Sequence, residues 1–227
     1  VLQQRSIWRM LFIGSPLVFQ FDRIHSNIGA YIPQAATRYQ NLTFFLASDG
    51  FYEFDGSLLA PIGRGKVDKF FFTDLNTNYY LRTHAVVDPA NRLVLWAYPS
   101  GSTSGGNPDK LLVYSWAFKR WALVSGLNVT LVLQSLSTGY TLDGLDVVTT
   151  NLDSLAWSLD SVQWTGGQLI LAAFNATNQL SRFNGSAMAA TLETGEFQLF
   201  PGYRAQIQEV RPNVIGVSAS LTISVIN

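Results

Sequence analysis

The sequence predicts an all-β protein built of antiparallel sheets. Short runs rich in Phe, Tyr, Val, Leu and Thr recur between clusters of Gly, Asn, Asp and Pro, while a helical apolar period is nearly missing. Aromatic residues make up 13% of the chain and fall mostly within those runs, where a pleated, half-buried surface accommodates them. A weak internal repeat points further, to a whole or partial β-propeller, with a β-sandwich as the alternative.

The elements follow from their punctuation. Phe44 to Ala47 reads as a strand, Asp49-Gly50 as a two-residue hairpin turn that tolerates positive φ, and Phe51 to Phe54 as the return strand. Arg92 to Tyr98 is the next strand, and PSGSTSGGNPD, Pro99 to Asp109, has the composition of a flexible loop. Lys110 to Trp116 resumes the sheet. The uncharged stretch Trp121 to Leu142 approaches membrane-spanning length, yet Asn128, Thr130, Gln134 and Ser135 interrupt it and its apolar residues alternate, so it reads as a strand. Strands are also expected at Val129 to Leu133, Gln168 to Phe174, Gln179 to Phe183, Glu196 to Phe200, Tyr203 to Val210 and Val217 to Val225, and a brief helical turn near Leu152 to Leu159.

Three segments carry the repeat: Phe44 to Ser57, Leu111 to Trp121 and Leu171 to Ser186. Each runs from a hydrophobic strand through an aromatic residue to a polar turn, at a spacing of about 60 to 70 residues, longer than the blades of common propellers. The expectation is one β-rich domain over residues 1–227, with blade-like segments near 40–75, 84–125, 127–165 and 166–227. The chain opens at Val1 without a signal-peptide pattern and is expected to be a fragment of a longer polypeptide.

Charged residues are only 13% of the chain, about half of the roughly 25% usual in soluble domains. So low a charge favours burial against partner subunits, whose interfaces deplete Lys, Glu and Asp and enrich aromatics. The formal net charge is zero, which removes the basic excess expected of a protein that grips nucleic acid. Cysteine is absent, so disulfides, a thiolate nucleophile and Cys-ligated zinc are excluded.

No set of residues points to catalysis, a cofactor or a metal. His25 and His84 are the only histidines, and neither has a metal-ligand neighbour at i, i+4. Gly63-Arg64-Gly65-Lys66 has the look of a phosphate loop, but Val67 stands where Ser or Thr should follow, and no strand-to-helix transition is readable, so an exposed basic turn is expected. Asp143, Asp146, Asp153 and Asp160 form an acidic series whose spacing fits no known calcium loop. Trp96, Tyr98, Trp116 and Trp121 are the candidate contact residues, for a subunit interface or for stacking on a glycan beside the Pro99 to Asp109 loop; their strand positions favour core and interface.

The segments RSIWRM, FFLASDGFYEFDG, PIGRGKVDKFFFTDL, VVDPANRLVLWAYPS, LLVYSWAFKRW, STGYTLDGLD and AATLETGEFQLFPGYRAQIQEVRPNV, in that order, resemble phage virion proteins related to tail nozzle or tail tubular proteins. That resemblance implies a structural, non-enzymatic subunit in the virion tail, assembled in the bacterial cytoplasm. It also implies a homo-oligomeric ring, typically a hexamer, that docks on an adaptor or other tail proteins and passes DNA without specific binding. A receptor-binding or glycan-binding tail module is the alternative. Asp74, Glu193 and Glu196 are expected contributors to a mixed or acidic channel surface.

Overall fold

The computed structural model describes residues 1–136, 166–167 and 169–183, together with positions 139, 189–191, 193 and 209. The chain divides into two compact units, Val1–Gly185 and Ser186–Asn227. The expected strands beyond Glu196, the helical turn near Leu152, the acidic series from Asp143 to Asp160 and Glu196 itself lie outside the described residues.

The described residues of the first unit are mostly β, forming four antiparallel sheets, none of them closed. Strands β1 (Ser6–Phe12) and β2 (Phe19–Ser26) form a two-stranded ribbon. Strands β3 (Ala36–Tyr39), β4 (Leu42–Leu46), β5 (Phe51–Phe54) and β6 (Leu59–Pro61) pair in chain order as a meander. A seven-residue helix, α1 (Asp68–Asp74), leads to a second meander of β7 (His84–Asp88), β8 (Leu93–Tyr98), β9 (Lys110–Ser115) and β10 (Arg120–Ser125). Strands β11 (Val129–Leu136), β12 (Leu169–Asn175) and β13 (Leu180–Arg182) form the last sheet.

Three differences from the sequence reading have local causes. The stretch Trp121 to Leu142 is not one strand: Gly126, at φ 83°, turns the backbone and separates β10 from β11. Because β11 pairs with β12, residues of the expected segments 127–165 and 166–227 share one sheet. The repeat is a repeat of hairpins, but it is out of step: Phe44 to Ser57 spans β4 and β5, the second and third strands of their sheet, whereas Leu111 to Trp121 spans β9 and β10, the third and fourth. The true counterpart in the second meander is β8–β9, whose hairpin carries the Pro99 to Asp109 insertion.

Alternation along the strands assigns each face. In β4, Phe44 and Leu46 face the second meander while Phe45 packs the other way, with Ala47 and Ile7, beneath the N-terminal ribbon. In β8, Val94, Trp96 and Tyr98 meet the first meander, and Leu95 and Ala97 meet Val129, Val132 and Ala173 of the last sheet. The sheets therefore pack face on face in the order in which the chain makes them, and the leading strand β7 lies against both β3 and β11. Both faces of the second meander are covered along β7, β8 and β9, while the edge strand β10 is largely exposed, and this explains why LVLWAY reads as a near-continuous apolar run.

The space between the two meanders is filled with rings. Phe51 meets Trp96 at 4.8 Å, Phe71 at 4.9 Å and Trp121 at 5.2 Å, centroid to centroid, and Trp96 stacks on Trp121 at 5.6 Å. Each indole N–H also finds a carbonyl across the gap, Trp96 Nε1 donating to Ala35 O and Trp121 Nε1 to Ile62 O, both at 3.0 Å. Trp96→Ala is expected to cost about 3–5 kcal/mol by loss of a large buried ring. Trp96→Phe, which keeps most of the ring but leaves the Ala35 carbonyl unpaired, should cost about 1–3 kcal/mol. Urea unfolding of the three proteins checks both the size and the order of these losses.

Candidate interaction site

All four candidate aromatics belong to the inter-sheet core. Trp96 and Tyr98 are fully buried, and Trp116 and Trp121 pack half-buried against the same cluster. Trp116 stacks on Phe44 at 5.6 Å and tilts against Tyr39 at 5.4 Å. Trp96 and Tyr98 thus have no surface to offer a sugar ring or a neighbouring subunit; their side chains are spent on holding the two meanders together.

The Pro99 to Asp109 segment differs from the flexible loop expected of its composition. Ser100 is fully buried, its N–H and hydroxyl both donating to the Asp109 carboxylate at 2.7 Å. Gly101 N–H donates to Asp74 O at 2.6 Å, Asn76 Nδ2 to Thr103 O at 3.3 Å, and Arg82 to Gly105 O at 3.1 Å and the Asn107 side chain at 3.2 Å. Gly106 adopts φ 70° with the Tyr79 ring packed where a side chain would stand, so its glycine is needed for close approach.

Asp74, expected on a channel surface, is instead a structural anion. Its carboxylate lies 2.9 Å from Lys110 Nζ and accepts from Tyr98 Oη at 2.8 Å. Burial, reinforced by the Asp74 carboxylate beside it, pushes the Tyr98 phenol well above its ordinary pKa. Glu193 is exposed.

Gly63 to Lys66 does lie between a strand, β6, and a helix, α1, a transition that the sequence did not reveal. It is still not a phosphate cradle. Asp68, at the first turn of α1, places its carboxylate against Gly50 and Gly63, where a Cβ on either glycine would collide with it, and accepts the Phe51 N–H at 3.2 Å. An anion is thus already built into the position. Burial raises the Asp68 pKa above the ordinary carboxylate value. Lys66 reaches away to Lys119 O at 3.3 Å.

His84 is 4% exposed and ties β7 to the next sheet. Val132 N–H donates to His84 Nε2 at 2.8 Å while Nδ1 lies 3.0 Å from Arg82 O, so the ring is neutral with its proton on Nδ1. Burial lowers its pKa. Among the described residues no group of three or more His, Asp or Glu side chains converges in a way that could hold a metal ion.

What the sequence reading passed over is the N-terminal ribbon. Phe12 is 73% exposed and Phe21 55%, with Met10, Leu11, Leu17, Val18 and Phe19 also exposed. The available signal was the uncharged run from Met10 to Phe21 around Pro16. Two open depressions lie near the ribbon's base, one beside Trp8 and Phe21 and one between Ala30 and Tyr80; no carboxylate, imidazole or cationic side chain lines either. No protein-family model and no curated protein matches this chain.

Since the His84 pKa is lower folded than unfolded, the unfolded chain binds the extra proton first as pH falls. Its contribution to stability is complete above about pH 6.5, the unfolded value, and declines below it. His84→Gln should flatten the dependence of unfolding free energy on pH between about 7 and 5, measured by urea melts across that range. Asp74→Ala strips the buried Tyr98 hydroxyl and Lys110 of their acceptor and should cost about 2–4 kcal/mol at pH 7 by the same assay.

Proposed function

We propose that this chain is a structural subunit of a phage tail, a nozzle or tail-tube component, whose sheets serve as blades of a propeller-like body and whose copies close into a ring around the DNA exit channel. The observation that carries this reading is the stacking order. Successive antiparallel meanders pack face on face in chain order, with leading strands β3 and β11 on either side of β7, an arrangement suited to blades following one another around a central channel. A β-sandwich would bury one face of each sheet, whereas β7, β8 and β9 of the second meander are covered on both.

The remaining support is chemical and comes from the resemblance noted above. A conduit must be rigid and only weakly attractive to phosphate, and a net charge of zero is compatible with DNA sliding past without being held. Low charge and exposed aromatics suit contacts with copies of the chain and with an adaptor or other tail proteins. On this reading the subunit performs no reaction and resides in the virion. A glycan-binding or receptor-binding module, which would use Trp96, Trp116 and the Pro99 to Asp109 loop, is the weaker reading, because Trp96 lies inside the core and Trp116 packs half-buried against it.

Native mass spectrometry and negative-stain electron microscopy of the purified chain test the proposal. The expected result is a closed ring, a hexamer of about 150 kDa from chains of 25.1 kDa. A chain that stays monomeric at tens of micromolar would overturn it, and release of reducing ends from host polysaccharide would put a glycan-cleaving reading in its place.

A further inference from the structure

The β1–β2 ribbon has more to say about how copies meet. Beyond the Arg9–Asp22 ion pair, 3.5 Å apart, it continues as a two-stranded sheet that carries no charge from Met10 to Phe21. At its base the outer edge of β1 is covered, Trp8 N–H donating to Val1 O at 2.9 Å. Further out, between Met10 and Phe12, no strand among the described residues pairs with that edge, nor with the outer edge of β2. Register assigns the faces: Trp8↔Arg23, Met10↔Phe21 and Phe12↔Phe19 share one, and Arg9↔Asp22 and Leu11↔Gln20 share the other.

One face is therefore aromatic and exposed, and both edges present backbone groups without the Lys, Pro or bulge that usually blunts a free edge along the Met10–Phe12 stretch. A lipid bilayer would accept the aromatic face but leave the backbone groups of both edges unpaired in hydrocarbon, which is why open sheet edges do not occur there. An added strand satisfies face and edge together. The charges select the strand. Arg9 on β1 and Asp22 on β2 stand at one level of the polar face. Pairing β1 with β1 of a second copy about that level sets arginine against arginine, and β2 with β2 sets aspartate against aspartate, both unfavourable. Pairing β2 with β1 continues an alternating row.

We propose that β2 of one copy pairs antiparallel with β1 of the next, so that ribbons from successive copies merge into one sheet with a shared aromatic face. The contact is head-to-tail, the kind that repeats until a ring closes. This inference rests on the ring-forming reading above and adds the segment through which the copies join.

The absence of cysteine makes a clean test possible. Leu11→Cys and Gln20→Cys, prepared singly and mixed under mild oxidation, should give a disulfide-linked pair of chains joining position 11 to position 20. Either variant alone should give at least tenfold less. Phe12→Ser combined with Phe21→Ser, with unchanged far-ultraviolet circular dichroism, should raise the concentration needed for assembly at least tenfold. Cross-linking of Leu11→Cys with itself as the main product would overturn the head-to-tail pairing. A ring by native mass spectrometry with no 11–20 cross-link would overturn this inference and leave the ring standing; a monomer with no cross-link would overturn both. Flotation of the uncross-linked chain with phosphatidylglycerol vesicles would assign the ribbon to lipid and overturn the pairing.

Discussion

The layer of aromatic side chains between the two meanders is the constraint on which the rest of the first unit depends. Phe51, Phe71, Trp96 and Trp121 meet at its centre in tilted, stacked and edge-to-face pairs, which aromatic quadrupoles favour over direct face-to-face overlap. Apolar filling alone is non-directional and would let one sheet slide over the other. The indole N–H groups of Trp96 and Trp121 remove that freedom, because their acceptors, Ala35 O and Ile62 O, flank the first meander in sequence, just before β3 and just after β6.

Polar ties repeat this logic at the margins. Asp68 fastens the start of α1 to the β4–β5 hairpin, Asp74 fastens its end to β8 and β9, and His84 fastens β7 to β11. In each case a side chain with a displaced pKa, or its direct partner, bridges two elements that the backbone ladders do not connect. At these three places shifted titration marks joints between elements. Taken alone it would have suggested a reactive centre, since burial and charge pairing shift pKa values for either purpose.

Much of the strand content was legible in the sequence, because the short apolar and aromatic runs LTFFL and LVLWAY and the polar turn that ends at Gly50 are local signals, although Arg92, expected in a strand, sits at φ 56° in the turn before Leu93. The parts that were not legible depend on distant partners. Nothing in PSGSTSGGNPD reveals that Asp109, Asn76 and Arg82 pin it down. The helix α1 hides in KFFFT, whose three aromatics look like a strand; its ring at Phe71 is buried against Phe51, and the Asp68 bond to the Phe51 N–H anchors its start. Trp96 and Tyr98 were recognisable as important, but whether an aromatic strand residue faces a core or a solvent site depends on what lies across the sheet. The N-terminal ribbon was missed because an apolar run without charges looks the same buried or bare.

The second meander, covered on both faces except at β10, has a consequence for how this protein can change over time. The surfaces of β7, β8 and β9 are committed to neighbouring layers, so variation compatible with folding is pushed outward to the edge strand β10 and to rims such as the β9–β10 turn, where Phe118 is 79% exposed. Lineages diverging from a common ancestor would then retain the same interior while acquiring new contacts one turn at a time, and the visible exterior would be a poor guide to kinship.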